Sequence, residues 1–151
     1  MSATELFQTD LLGLIFANST DATNVGDATG LVPSTTAGSF YIALSTATLT
    51  EAHTTLSQTE ATYTGYGTRP GVTRDLASGG WTVSAGQVVN NGVITFPACT
   101  GGTNTITDYS IGNVATTAGV MQFFGALTSS LAVSNGVTPE FADAALVITL
   151  T

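Results

Sequence analysis

Few side chains in this sequence are suited to chemistry. The single histidine, His53, sits between Ala52 and Thr54, the single cysteine is Cys99, and lysine is absent. Nucleophilic catalysis needs a base beside a nucleophile and a third group to orient the base. A serine, histidine and aspartate triad would have to pass through His53, and no Gly-x-Ser-x-Gly elbow accompanies it. An exposed, solvated imidazole is the simpler reading. One cysteine and one histidine fall short of a zinc set. Asp21 and Asp27, with Asn24 between them, lack the twelve-residue calcium loop that ends in glutamate. The ten carboxylates are scattered, which singles out no glycosidase pair. Gly65-x-Gly67 lacks the flanking strand, helix and lysine of a phosphate loop. The expectation is a chain with no catalytic residue, no metal site and no cofactor, and so not an enzyme.

Binding chemistry is better represented. Arg69 and Arg74 lie in the segment Tyr63 to Asp75 together with Tyr66, and they are the only cationic side chains of lysine or arginine type. Arginine and tyrosine anchor interfaces because each combines a large rigid contact with directional donors. Arg69, Arg74 and Tyr66 are therefore the candidate interface residues, and local salt bridges to Glu60 or Asp75 are the competing reading. Trp81, between Gly80 and Thr82, fits a core or sheet-edge position, with sugar stacking as the lesser alternative. Cys99 reads as a small buried hydrophobe, and a lone cysteine forms no intrachain disulfide.

The elements that must position these residues follow from composition and periodicity. At 151 residues, with 43% hydrophobic and only 8% charged side chains, the chain fits one folded domain and is too apolar for disorder. Its net charge of −8 argues against nucleic acid and anionic membrane as partners. Without lysine, a common guard against edge pairing, the sheet edges are expected to be covered by partner subunits. The first five residues lack a basic n-region, and Leu11 to Ala17 is too short to span a bilayer. Ser2 and Glu5 have capping-box spacing, and Phe7, Leu11, Leu14 and Ile15, widened by Leu12 and Phe16, predict one helix ending near Asn18. Asn18-Ser19-Thr20 matches a glycosylation sequon. A polar loop with Pro33 runs from Ser19 to Gly38.

Short alternating runs follow, separated by glycine, asparagine and proline. Phe40 to Leu44, Val72 to Leu76, Gly80 to Ser84, Gln87 to Val89 and Val93 to Phe96 read as strands, with Asn90-Asn91-Gly92 as a hairpin turn. Thr105 to Val114, Val120 to Leu127, Leu131 to Ser134 and Ala145 to Leu150 complete eight to ten strands. Thr46 to Thr62 is a long polar stretch of the kind that is functional or mobile. The expected architecture is a single all-β domain over 1–151, an antiparallel β-sandwich over 39–151 preceded by a helix or arm over 1–18.

The order of motifs resembles a family of small tailed-bacteriophage virion proteins. The likeness runs from about residue 6 to the end. It is carried by Leu11-Leu12 and Ile15-Phe16, Tyr41-Ile42-Ala43-Leu44-Ser45-Thr46, Tyr63-Thr64-Gly65-Tyr66 to Arg69, and Gly80-Trp81-Thr82-Val83-Ser84. Ile94-Thr95-Phe96-Pro97, Ile106-Thr107-Asp108-Tyr109-Ser110-Ile111, Phe124-Gly125-Ala126-Leu127-Thr128 and Leu146-Val147-Ile148-Thr149 continue it. The resemblance implies a jelly-roll-like sandwich without catalytic residues. It further implies a capsid decoration or cement protein, made in the host cytoplasm and carried on the capsid surface, or else a tail fibre or carbohydrate-contacting receptor-binding module. The implied partners are the major capsid protein and further copies of the chain, as a dimer or trimer.

Overall fold

The computed structural model describes residues 3–19 and 34–150. The cap at Ser2, the residues Asp21, Asn24 and Asp27, Thr20 of the sequon and the loop position Pro33 lie outside these. The described chain is antiparallel β-sheet with one helix, in agreement with the expected all-β class. Its elements are α1 (Glu5–Ala17), β1 (Ser39–Ser45), β2 (Gly71–Thr73), β3 (Trp81–Ser84), β4 (Gln87–Asn90), β5 (Ile94–Thr95), β6 (Asn104–Gly112), β7 (Met121–Val133), β8 (Glu140–Phe141) and β9 (Val147–Thr149). They fall into two compact units. One comprises the described residues of Met1–Ser39, Val72–Ile94 and Phe141–Thr151, the other Phe40–Gly71 and Thr95–Glu140.

In the first unit, α1 is capped by Thr4: its extended backbone lets the hydroxyl accept from the Phe7 N–H. The helix stops at Asn18, which adopts a left-handed conformation (φ 50°) that asparagine tolerates, while the Ser19 N–H donates to the Gly13 carbonyl at 3.1 Å. The buried residues are Leu12, Gly13, Phe16 and Ala17: Leu12 and Phe16, which widen the predicted stripe, are fully buried, while Leu11, Leu14 and Ile15 are half-buried and Phe7 is exposed. The helix packs on β3 and β4, and Phe16 meets Trp81 edge to face with ring centroids 4.9 Å apart. Trp81 is fully buried and presents no face to a sugar.

The hairpin of this unit is β3–β4, with Ser84 opposite Gln87. Its turn is Ala85-Gly86, both at positive φ (50° and 73°), as a tight two-residue turn requires. Asn90-Asn91-Gly92 does not form the expected hairpin, because β4 pairs with β3 and β9 and β5 pairs with β8. The buried Asn90 amide is used differently. It donates to the carbonyls of Gly92 (2.6 Å) and Ala142 (2.8 Å) and accepts from the Leu146 N–H (2.8 Å), which holds the C-terminal segment that feeds β9 against β4.

The second unit is built on β1, β6 and β7, in that order. In β1, Ile42, Ala43, Leu44 and Ser45 are all buried, as befits a strand with neighbours on both sides and cover on both faces. Val120–Leu127 and Leu131–Ser134, read as separate runs, are one long strand whose pairing with β6 is interrupted by an irregularity between the pairs Ile106/Leu131 and Asp108/Ala126. Three extra residues on β7 are accommodated there as a bulge. The polar stretch Thr46–Thr62 is anchored rather than loose. Leu49, Leu56 and Ala61 are buried, and the stretch exchanges backbone hydrogen bonds through Leu56 N–H to Ala118 O and Met121 N–H to Thr54 O, both 2.9 Å.

Candidate functional site

The second unit gathers its ionisable chemistry at one place. Glu60 stands at the end of the polar stretch, bridged to Ser45 at the end of β1, which points its side chain toward the segment before β2. There Arg69 grips the Glu60 carboxylate with two parallel bonds, Nε to Oε1 and Nη2 to Oε2, each 2.7 Å. Tyr66 donates its hydroxyl to the same Oε1 at 2.7 Å and accepts from the Leu44 N–H at 3.2 Å. Arg69 donates further to the carbonyls of Val114 (3.1 Å) and Thr117 (2.9 Å), and its own N–H reaches the Ala115 carbonyl at 3.0 Å. Four of the five guanidinium N–H groups are thereby spent. The Arg69 side chain is 3% exposed and that of Glu60 15%.

Beside this pair lies a cavity of about 560 Å³, lined by Ser57, Glu60, Thr62, Tyr66, Arg69 and Thr117 among others. Its chemistry is that of a polar, hydroxyl-rich recess with one neutralised charge pair. Among the described lining residues Glu60 is the one carboxylate, so the recess holds no pair of carboxyls for general acid and base work. The Tyr66 ring is packed between Phe96, stacked at 6.5 Å, and Tyr63, edge to face at 5.2 Å. Burial, with the neighbouring Glu60 charge, raises the Tyr66 hydroxyl well above the ordinary tyrosine pKa, so it remains a donor. Burial also pushes Tyr63 up to about 12, helped by the nearby Cys99.

Of the three candidate interface residues, the structure brings Tyr66 and Arg69 together on Glu60. Arg74 belongs to the first unit. Its guanidinium bonds the carbonyls of Leu14 (2.8 Å) and Ile15 in the last turn of α1, a turn without a basic residue of its own. A cation there satisfies orphan carbonyls and opposes the negative end of the helix dipole.

His53 is half-buried, and its Nδ1 accepts the Thr50 N–H at 3.1 Å, which leaves the ring proton on Nε2. Cys99 is buried, with Sγ 3.3 Å from the Gly101 carbonyl, as a small core residue should be. Sequence reasoning missed Asp108, a buried carboxylate in β6 that accepts the Leu49 N–H at 3.2 Å. It also missed the central place of Glu60, which it named only as an alternative partner. The signal was available in the Glu60, Tyr66 and Arg69 spacing, since these are hydrogen-bonding types close in the chain. Among the described residues no group of three or more His, Cys, Asp or Glu is placed to hold a metal ion. No described helix is long and apolar enough to cross a membrane.

With this geometry established, comparison with known proteins supplies the context. Residues 16–149 match the family described as Podophage GP4 fiber I protein gp80. No curated protein matches the chain. The family match takes in most of the sequence and residues of both units, and the chain belongs to that family of phage virion structural proteins.

Proposed function

Proceeding from that membership, we propose that the chain is a non-catalytic subunit of a podophage fibre. The observation that carries this reading is the family match across residues 16–149, whose description names a fiber protein. Head decoration through the major capsid protein, the other role implied by the resemblance, has no feature of this site in its favour. The chemistry of the described residues supports a structural role in two ways. Both arginines are used to hold the chain's own carboxylate and carbonyls, and the one histidine has its Nδ1 occupied by a backbone donor. The net charge of −8 makes nucleic acid an unfavourable partner for this subunit.

Imaging of intact particles carrying a gold-labelled antibody against this chain tests the assignment. Label on fibres is the expected result. Label confined to the head lattice would replace the fibre reading with decoration, and absence of the chain from purified particles would sink both.

A further inference from the structure

We infer that the recess beside Arg69 and Glu60 is a binding site for a neutral saccharide, recognised through the hydroxyl groups of its ring. The inference stands on the recess alone, and it holds wherever the chain sits on the particle.

The fold does not use up the hydrogen-bonding capacity of this place. A carboxylate offers about four acceptor positions. Glu60 Oε1 accepts from the Tyr66 hydroxyl and from Arg69 Nε, and Oε2 accepts from Arg69 Nη2, which leaves one position on Oε2. Glu60 keeps 15% of its side chain exposed and lines the recess. Ser57, Thr62, Thr116 and Thr117 line it too and are exposed, and their hydroxyls form no hydrogen bond among the described residues. A ligand in this recess therefore meets one fixed acceptor and several groups that both donate and accept.

The walls are held in place before any ligand arrives. The Ala115 carbonyl accepts the Arg69 N–H, the Thr117 carbonyl accepts from Arg69 Nη2, and the Ala118 carbonyl accepts the Leu56 N–H. Thr59, next to Glu60, and Thr117 both lie in the left-handed region, at φ 55° and 67°. β-Branched residues rarely adopt it, and such strain persists where the surroundings over-determine the backbone, as they do at ligand sites. A site fixed in this way loses little entropy on binding.

Charge and shape select the ligand class. An anion would meet Glu60 on a chain of net −8, and the guanidinium that could hold it is already paired and 3% exposed. A cation would meet a carboxylate that Arg69 has already neutralised. The apolar lining consists of the methyl groups of Ala61, Ala115 and Ala118, which can touch the C–H face of a sugar ring but form no pocket for a large apolar side chain. The volume of about 560 Å³ lies within the roughly 300–1,000 Å³ common for small-molecule sites. A neutral ring carrying several hydroxyls satisfies all of these conditions.

Titration of the isotope-labelled full chain with the methyl glycosides of glucose, galactose, mannose and N-acetylglucosamine, followed by amide chemical shifts, is the first test. At least one glycoside should bind with a Kd of about 1 mM, weak because each hydrogen bond replaces one to water, and shift amides within 57–62, 66–69 and 115–118. Thr116→Trp places a large side chain on an exposed lining residue and should abolish these shifts. Ser57→Ala combined with Thr62→Val should weaken binding by about tenfold, with native circular dichroism. Thr82→Trp, on exposed β3, is the control and should bind as the parent chain does. The proposal is overturned if no glycoside binds at about ten times the expected Kd, if the shifts lie elsewhere, or if binding is indifferent to Thr116→Trp. Glycerol or a blocked tripeptide of glycine and serine bound as tightly as the best glycoside overturns it as well, as does glucuronate bound more tightly than methyl glucoside.

Discussion

Replacing Arg69 with alanine removes the cation paired with Glu60 and unties two carbonyls, those of Val114 and Thr117. Breaking a buried ion pair from one side costs about 3–5 kcal/mol, mostly because the remaining charge is left unpaired. Glu60 retains 15% exposure on the cavity side, where water screens the orphaned carboxylate, and this places the expected loss near the low end, about 3 kcal/mol. For a chain of this length that corresponds to a fall in Tm of about 6–12 °C. Urea unfolding followed by far-ultraviolet circular dichroism measures it. Arg69→Met combined with Glu60→Gln should cost less than the sum of the two single changes, by about 1 kcal/mol or more, since the double variant leaves no unpaired charge. A loss below about 1 kcal/mol for Arg69→Ala, or strict additivity in the pair, would refute the view that this clamp organises the second unit.

Three further outcomes follow from the same structure. Arg74→Ala should destabilise the first unit by about 1–2 kcal/mol through the freed carbonyls of Leu14 and Ile15, read by Trp81 fluorescence, because Phe16 of the same helix packs on that indole. Asn90→Ala removes an amide that serves two carbonyls and one N–H, and should cost about 2–3 kcal/mol in chemical unfolding; a value near zero would show that the amide does not hold the segment before β9. Tyr63, Tyr66 and Tyr109 all have raised pKa values, with burial the first cause in each. Above the ordinary tyrosine pKa of about 10 the unfolded chain releases these protons and the folded chain keeps them, so stability is full below that pH and is lost as pH rises toward 12 and beyond. Thermal melts across this range, with tyrosinate absorbance recorded in parallel, check it; complete tyrosine ionisation in a chain whose circular dichroism is still native would contradict it.

Parts of the fold and site were legible in the residues. Alternation located β1 and most later strands because one-sided burial imposes a period of two. The helix end at Asn18 was legible because asparagine accepts the left-handed conformation the stop requires. The buried face of α1 was partly legible: Leu12 and Phe16 lie in the predicted stripe, while the buried Gly13 and Ala17 contribute little to a hydrophobic pattern. The turn was misplaced for a related reason. Asn-Gly favours a hairpin locally, but Asn90 forms more hydrogen bonds as a bracket for the chain's C-terminal segment, while Ala85-Gly86 makes the turn. Of the candidate site, Arg69 and Tyr66 were picked out as residue types, and Glu60 was named as one possible partner.

By itself, the sequence determined the all-β class, the leading helix and the scarcity of reactive groups, because these depend on composition and on contacts between residues near in the chain. Tertiary structure alone decided that Arg69 also reaches the carbonyls of Val114 and Thr117, that Arg74 closes the end of a helix far from it in sequence, and that, among the described strands, β7 has a neighbour on one side only. Each of these pairs a residue with atoms supplied by distant segments. Local periodicity says which face of a strand is buried, but which strand lies beside it depends on the packing of the whole unit.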